Sequence, residues 1–205
     1  MQTDNPPYVP LRHGGWPARR APRWAIAAGV VLLAVGIAVA LPHHPSAGQR
    51  AGDLRSFLAT LNSDVESCAG GARESLYVLR AIDTGASHDT ATALRVATYG
   101  AANCSPANNE LLDNLTAEQP PESLAGFHLQ RAVTALIDWA APDAMRVQSD
   151  VARILRDRGT PAEPAARAAL RTDLHALDAQ RAVFYSLLGP PIRALSPGTK
   201  PPPLP

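Results

Sequence analysis

Residues 50–83 read RAGDLRSFLATLNSDVESCAGGARESLYVLRAID, and their apolar positions decide the fold. Leu54, Phe57, Leu58, Leu61, Val65, Cys68, Ala72, Leu76, Leu79 and Ile82 recur at steps of three and four, which places them on one face of a long helix. Gly70-Gly71 interrupts the stripe without shifting its phase, so a weak point or bend is expected there. Thr84-Gly85-Ala86-Ser87 then reads as a turn, with Gly85 ending the helix and Ser87 or Asp89 capping the next. That second helix carries Leu94, Ala97, Ala101 and Cys104, and Ser105-Pro106 opens a further stretch with Leu111, Leu112 and Leu115.

Downstream, Pro120-Pro121 breaks the chain. Glu122 to Arg158 is expected to form the longest helix, with the stripe Leu129, Val133, Leu136, Ala140, Ala144, Val147, Val151, Ile154. Pro142 falls inside this pattern, yet the phase continues through it, so a kink within one helix is predicted. Gly159-Thr160-Pro161 turns the chain again, and Ala162 to Leu188 supplies Leu170, Leu174, Leu177, Phe184 and Leu188. Arg181 fills the missing position of this stripe and reads as a rim arginine with a buried stem. No period-two alternation suggests a sheet. The fold class is therefore all-α, an up-down-up-down four-helix bundle with kinked helices over residues 50–188. The remaining GPPIRALSPGTKPPPLP is expected to be a disordered proline-rich tail, 189–205, although it resembles a polyproline ligand.

Before the bundle lies WAIAAGVVLLAVGIAVAL, residues 24–41, eighteen positions without a charge. As a helix this run spans about 27 Å, close to the hydrocarbon thickness of a bilayer. Arg12, Arg19, Arg20 and Arg23 precede it, opposed only by Asp4. The positive-inside rule then makes 1–23 a cytoplasmic basic tail, 24–41 a transmembrane signal-anchor, 42–49 a linker, and the bundle extracytoplasmic. The expected localisation is the cell membrane, single-pass. Cleavage after Ala40 is the rival, since Ala38-Val39-Ala40 fits the small-x-small pattern, but the 23-residue leader and long apolar run favour an uncleaved anchor. Within the run, Ala25, Gly29, Gly36 and Ala40 share one face and offer a contact for a homodimer through the membrane helix.

Eighteen arginines against the single Lys200, with abundant alanine and proline, look like coding from a GC-rich bacterial genome. The net charge is only +1, with the basic excess confined to the tail, so a nucleic-acid partner is not expected. Cys68 and Cys104 are the only cysteines, and each lies eighteen residues from the turn near residue 86. An antiparallel hairpin sets them side by side, which predicts a disulfide in an oxidising compartment. Close C-x-x-C spacing and further ligands, which a redox pair or metal site needs, are missing.

No metal or cofactor motif emerges. None of the six histidines follows Asp or Glu by three residues, and no H-E-x-x-H, G-x-S-x-G, P-loop or G-x-G-x-x-G occurs. No cofactor and no catalytic residue are expected. Asp138, Trp139 and Asp143 beside the Pro142 kink form the most unusual local cluster, offering either a partner surface or a tryptophan packed at a bundle edge. The expected function is a membrane-anchored helical interaction module of the bacterial cell envelope. Its partners would be the lipid bilayer and an envelope protein or cell-wall component. A ligand-binding sensor, or a secreted effector or inhibitor if the chain is cut after Ala40, are the alternatives.

Overall fold

The computed structural model describes residues 45–105 and 109–205. The basic tail, the apolar run with Ala25, Gly29, Gly36 and Ala40, and residues 42–44 of the expected linker lie outside the described residues. Among those described, the chain is all-helical, with six α-helices and no strand. No helix among them is long and apolar enough to cross a membrane.

Helix α1 (Ala47–Asp83) begins where Ser46 accepts a hydrogen bond from the amide of Gln49 at 3.1 Å, three residues before the expected start. Its stripe from Leu54 to Ile82 is buried except for Leu76, which is partly buried. The helix runs unbroken through Gly70-Gly71, so the expected weak point is corrected: neighbouring helices, described below, pack against Gly71. Gly85, at φ +74°, closes the turn, a conformation glycine adopts without a Cβ penalty. Asp89 caps α2 (Thr90–Asn103) by accepting from the Thr92 amide at 2.9 Å. Helix α3 (Asn109–Ala117) follows.

Glu122 to Arg158 is not one helix. Glu122–Phe127 forms a 3-10 segment that stops at His128, whose φ of 52° is left-handed. From Gln130 the column is continuous: α4 (Gln130–Asp138), a π-helical turn (Trp139–Ala144) and α5 (Met145–Arg156). Pro142 lacks the N–H that would pair within the ladder, and its ring crowds the preceding turn. The chain absorbs both by widening, with Ala141 swung to φ −137°, ψ 103°. The phase survives, for Val133, Leu136, Ala140, Ala144, Val147, Val151 and Ile154 are all buried.

Helix α6 (Glu163–Leu195) completes the set and passes the expected end at Leu188, carrying Pro190 and Pro191 inside it. Pro191 is buried, and Ile192 and Leu195 pack against the core, so burial of this last turn offsets the two missing N–H donors. The segment beyond is not a solvated spacer: Pro202 and Leu204 are buried. Arg181 is partly exposed and pairs with Asp178 at 2.6 Å, as a rim residue does.

The helices pack as a bundle around one core of mainly aliphatic side chains with Phe57, Trp139 and Phe184. Helix α1 lies along α2, α5 lies against both α2 and α6, and α4 lies against α6. Two turns are clasped together at one end. Arg167 donates both terminal nitrogens to Asp83, at 2.7 and 2.9 Å, while Arg158 adds a third bond at 2.9 Å. The Arg167 guanidinium, more than Arg158, holds the Asp83 carboxyl below its usual range. Glu163 accepts from Arg167 Nε and from the Gly159 amide, both at 2.8 Å, which joins the start of α6 to the same clasp.

Candidate functional site

The α1–α2 hairpin carries a surface concavity, a groove of about 560 Å³. Its floor is glycine: Gly70 and Gly71 on α1 and Gly100 on α2. Glu66, Glu74, Arg95 and Asn103 stand around it, and Tyr99 forms one wall. Tyr99 is 73 % exposed and Tyr77, on α1, 71 %, although a tyrosine ring is large and mostly apolar.

Three glycines in helix interiors cost stability, at about 1 kcal/mol each relative to alanine, unless the backbone needs them. Two are needed. A Cβ on Gly71 would stand 2.9 Å from Gly100 Cα and 3.0 Å from Gln148 Oε1. One on Gly100 would collide with that same oxygen and come within 3.0 Å of the Gly71 carbonyl and Ser75 Oγ. Gln148 cannot swing aside, because it is fully buried and its Nε2 donates to the Ala144 carbonyl at 3.1 Å. Gly70 differs: a Cβ there meets nothing within 4 Å. Gly70→Ala should therefore stabilise the chain by ~0.5–1 kcal/mol, and Gly100→Ala should destabilise it by about 1–3 kcal/mol. Urea titration of the two variants checks this, and equal signs would mean that the hairpin does not need its close approach.

Below the floor, Cys68 and Cys104 face each other at disulfide distance, with Cα atoms 4.8 Å apart and both side chains fully buried. Gln148 Nε2 also donates toward Cys104 Sγ. The groove thus sits on the most tightly constrained part of the hairpin. A binding surface gains from such rigidity, because little ordering remains to be done on contact.

The cluster expected beside Pro142 does not form one surface. Trp139 is fully buried in the core, so it is no partner anchor; the packed alternative applies, at the centre and not the edge. Asp138 is exposed and accepts from Gln180 Nε2 at 3.2 Å. Asp143 is half-buried, 3.8 Å from Arg146, and burial pushes its carboxyl up. Deeper between α5 and α6, burial also raises Asp150, which pairs with Arg153 and is opposed by Asp173. His128 and His175 are both exposed. Among the described residues no three His, Cys, Asp or Glu side chains converge as metal ligands.

No protein-family model matches this chain, and no curated protein or solved structure does. Its site must be read from its own residues. Sequence reasoning missed the groove, since its signal is split between Gly70-Gly71 and Tyr99-Gly100, nearly thirty residues apart.

Proposed function

We propose that this chain is a membrane-anchored, extracytoplasmic interaction module of the bacterial cell envelope, without catalytic activity. In this reading the bundle is of the up-down-up-down type: α1, the α2–α3 leg, the α4–α5 column and α6. The apolar run at 24–41 and the arginines before it support the anchor. The buried cysteine pair supports an oxidising compartment.

The observation that carries an interaction role is Tyr99, a large aromatic left three-quarters exposed over a groove with a rigid floor. Rigid aromatics flanked by polar groups supply contact area at low entropic cost, which suits a partner surface. The partner is an envelope protein or a cell-wall component, with the bilayer itself holding the N-terminal side. A ligand-binding sensor would use the same groove on the same anchor, and a secreted effector after cleavage at Ala40 would use it without one.

A photo-crosslinking residue placed at position 99 tests the reading in intact cells. An adduct in the membrane fraction, formed at position 99 and not at exposed Thr172, is the expected outcome. Uniformly absent adducts would overturn the groove as a partner surface, and a mature chain that begins at Leu41 and is recovered in the soluble fraction would replace the tethered module with the secreted alternative.

A further inference from the structure

The last ten residues, SPGTKPPPLP, are bound by the fold like a ligand. Ser196 Oγ and Thr199 Oγ1 lie 2.7 Å apart, the Thr199 amide donates to the Ser196 carbonyl at 3.0 Å, and Gly198 at φ +98° reverses the chain. Lys200, Pro201, Pro202 and Leu204 each precede a proline, which restricts them to extended backbone, and the proline rings fix φ. Such a segment has no internal hydrogen bonds, so its carbonyls are free to be read from outside.

Two of those carbonyls are taken by side chains. Tyr185 Oη, on α6, donates to the Pro202 carbonyl at 3.0 Å and accepts from the Leu204 amide at 2.9 Å. Arg73 Nη1, on α1, donates to the Pro203 carbonyl at 2.9 Å. Pro202 and Leu204 are buried while Pro203 faces out. Leu58 and Asn62 of α1 line the concavity beside Pro201–Pro203. The two carbonyl contacts recognise main-chain atoms that any proline-rich segment offers, the amide contact requires a residue other than proline at the Leu204 position, and the buried Pro202 and Leu204 positions select by side chain. An aromatic hydroxyl and a long cationic donor set against an extended proline run are the chemistry by which proline-rich ligands are held.

We infer that the face between α1 and α6 marked by Arg73 and Tyr185 is a binding site for polyproline II segments of the form Pro-Pro-Pro-apolar-Pro, held shut in the resting chain by its own C-terminus. Its occupant in trans is a proline-rich segment of another protein. Tethering gives the resident tail an effective concentration of order millimolar, so a free competitor gains access only when the tail is released. The site is separate from the Tyr99 groove and does not depend on membrane topology.

Fluorescein-labelled GTKPPPLP peptide, titrated by anisotropy, tests this with three full-length chains and one shortened at Leu195. The shortened chain and full-length Leu204→Asp should bind the peptide saturably, and the intact chain at least ten-fold more weakly. Tyr185→Phe in the Leu204→Asp background should weaken binding by ten-fold or more, and a GTKAAALA peptide should not bind. Leu204→Asp keeps the chain complete, so it decides the matter even where the shortened chain does not fold. A concentration-dependent dimer of the intact chain, abolished by Leu204→Asp, would identify a second copy's tail as an occupant and also support the site. Absence of saturable binding to Leu204→Asp with its far-UV helix signal intact, or binding indifferent to Tyr185→Phe or to the alanine peptide, overturns the proposal.

Discussion

Trp139→Ala is expected to lower the unfolding free energy by about 3–5 kcal/mol, the usual cost of removing a large aromatic from a packed core. The indole has no exposed surface and lies in the π-helical turn, which packs against α6 and α1. Among the described residues its Nε1 meets no hydrogen-bond partner, and the ring is held by apolar contact. Trp139→Phe should therefore lose much less: relief of the unpaired N–H, worth ~1–3 kcal/mol, offsets part of the lost volume. Urea unfolding followed by circular dichroism measures both. A loss below about 1 kcal/mol for the alanine variant would return Trp139 to the surface and revive the partner cluster with Asp138 and Asp143.

Opening the Cys68–Cys104 link should cost a comparable amount. A disulfide here closes a loop of 36 residues. In the chain-entropy model such a closure removes roughly 3–4 kcal/mol of freedom from the unfolded state. The paired Cys68→Ala, Cys104→Ala variant should lose that much, and peptide mapping without reductant should recover the two cysteine peptides joined. Identical urea midpoints for oxidised and reduced chains, or two titratable thiols in protein exported to an oxidising compartment, would count against the link.

Much of the helical layout was legible because apolar periodicity and core burial are the same physical fact seen twice. The column Val133 to Ile154 and, but for the partly buried Leu76, the stripe Leu54 to Ile82 are buried as their spacing requires. The cysteines were legible for a related reason: a hairpin is a reflection, and residues equidistant from its turn meet. What escaped were features whose partners are remote in the chain. Gly71 reads as a helix weakness until Gly100 and Gln148 are set against it. Trp139 could be read either as a partner surface or as packed at a bundle edge, because adjacent helical residues point about 100° apart and the neighbouring Asp138 says little about which way the ring faces. The proline-rich end read as disorder because nothing local holds it. Its partners, Tyr185 and Arg73, stand 17 and 130 residues from the carbonyls they bind.

Both sulfurs of the cysteine pair have no solvent-exposed surface. A thiolate must approach a disulfide sulfur directly, so a reductant has no path to this pair until the hairpin parts from α5. The rate at which thiols appear under native conditions is thus a clock for that opening, ticking at the speed of the fold's own breathing whatever the reductant concentration once it is saturating. Durability of the link in a mildly reducing medium becomes a kinetic property of the packing over Gln148 and Ala140, with the redox potential of the medium deciding only the eventual outcome.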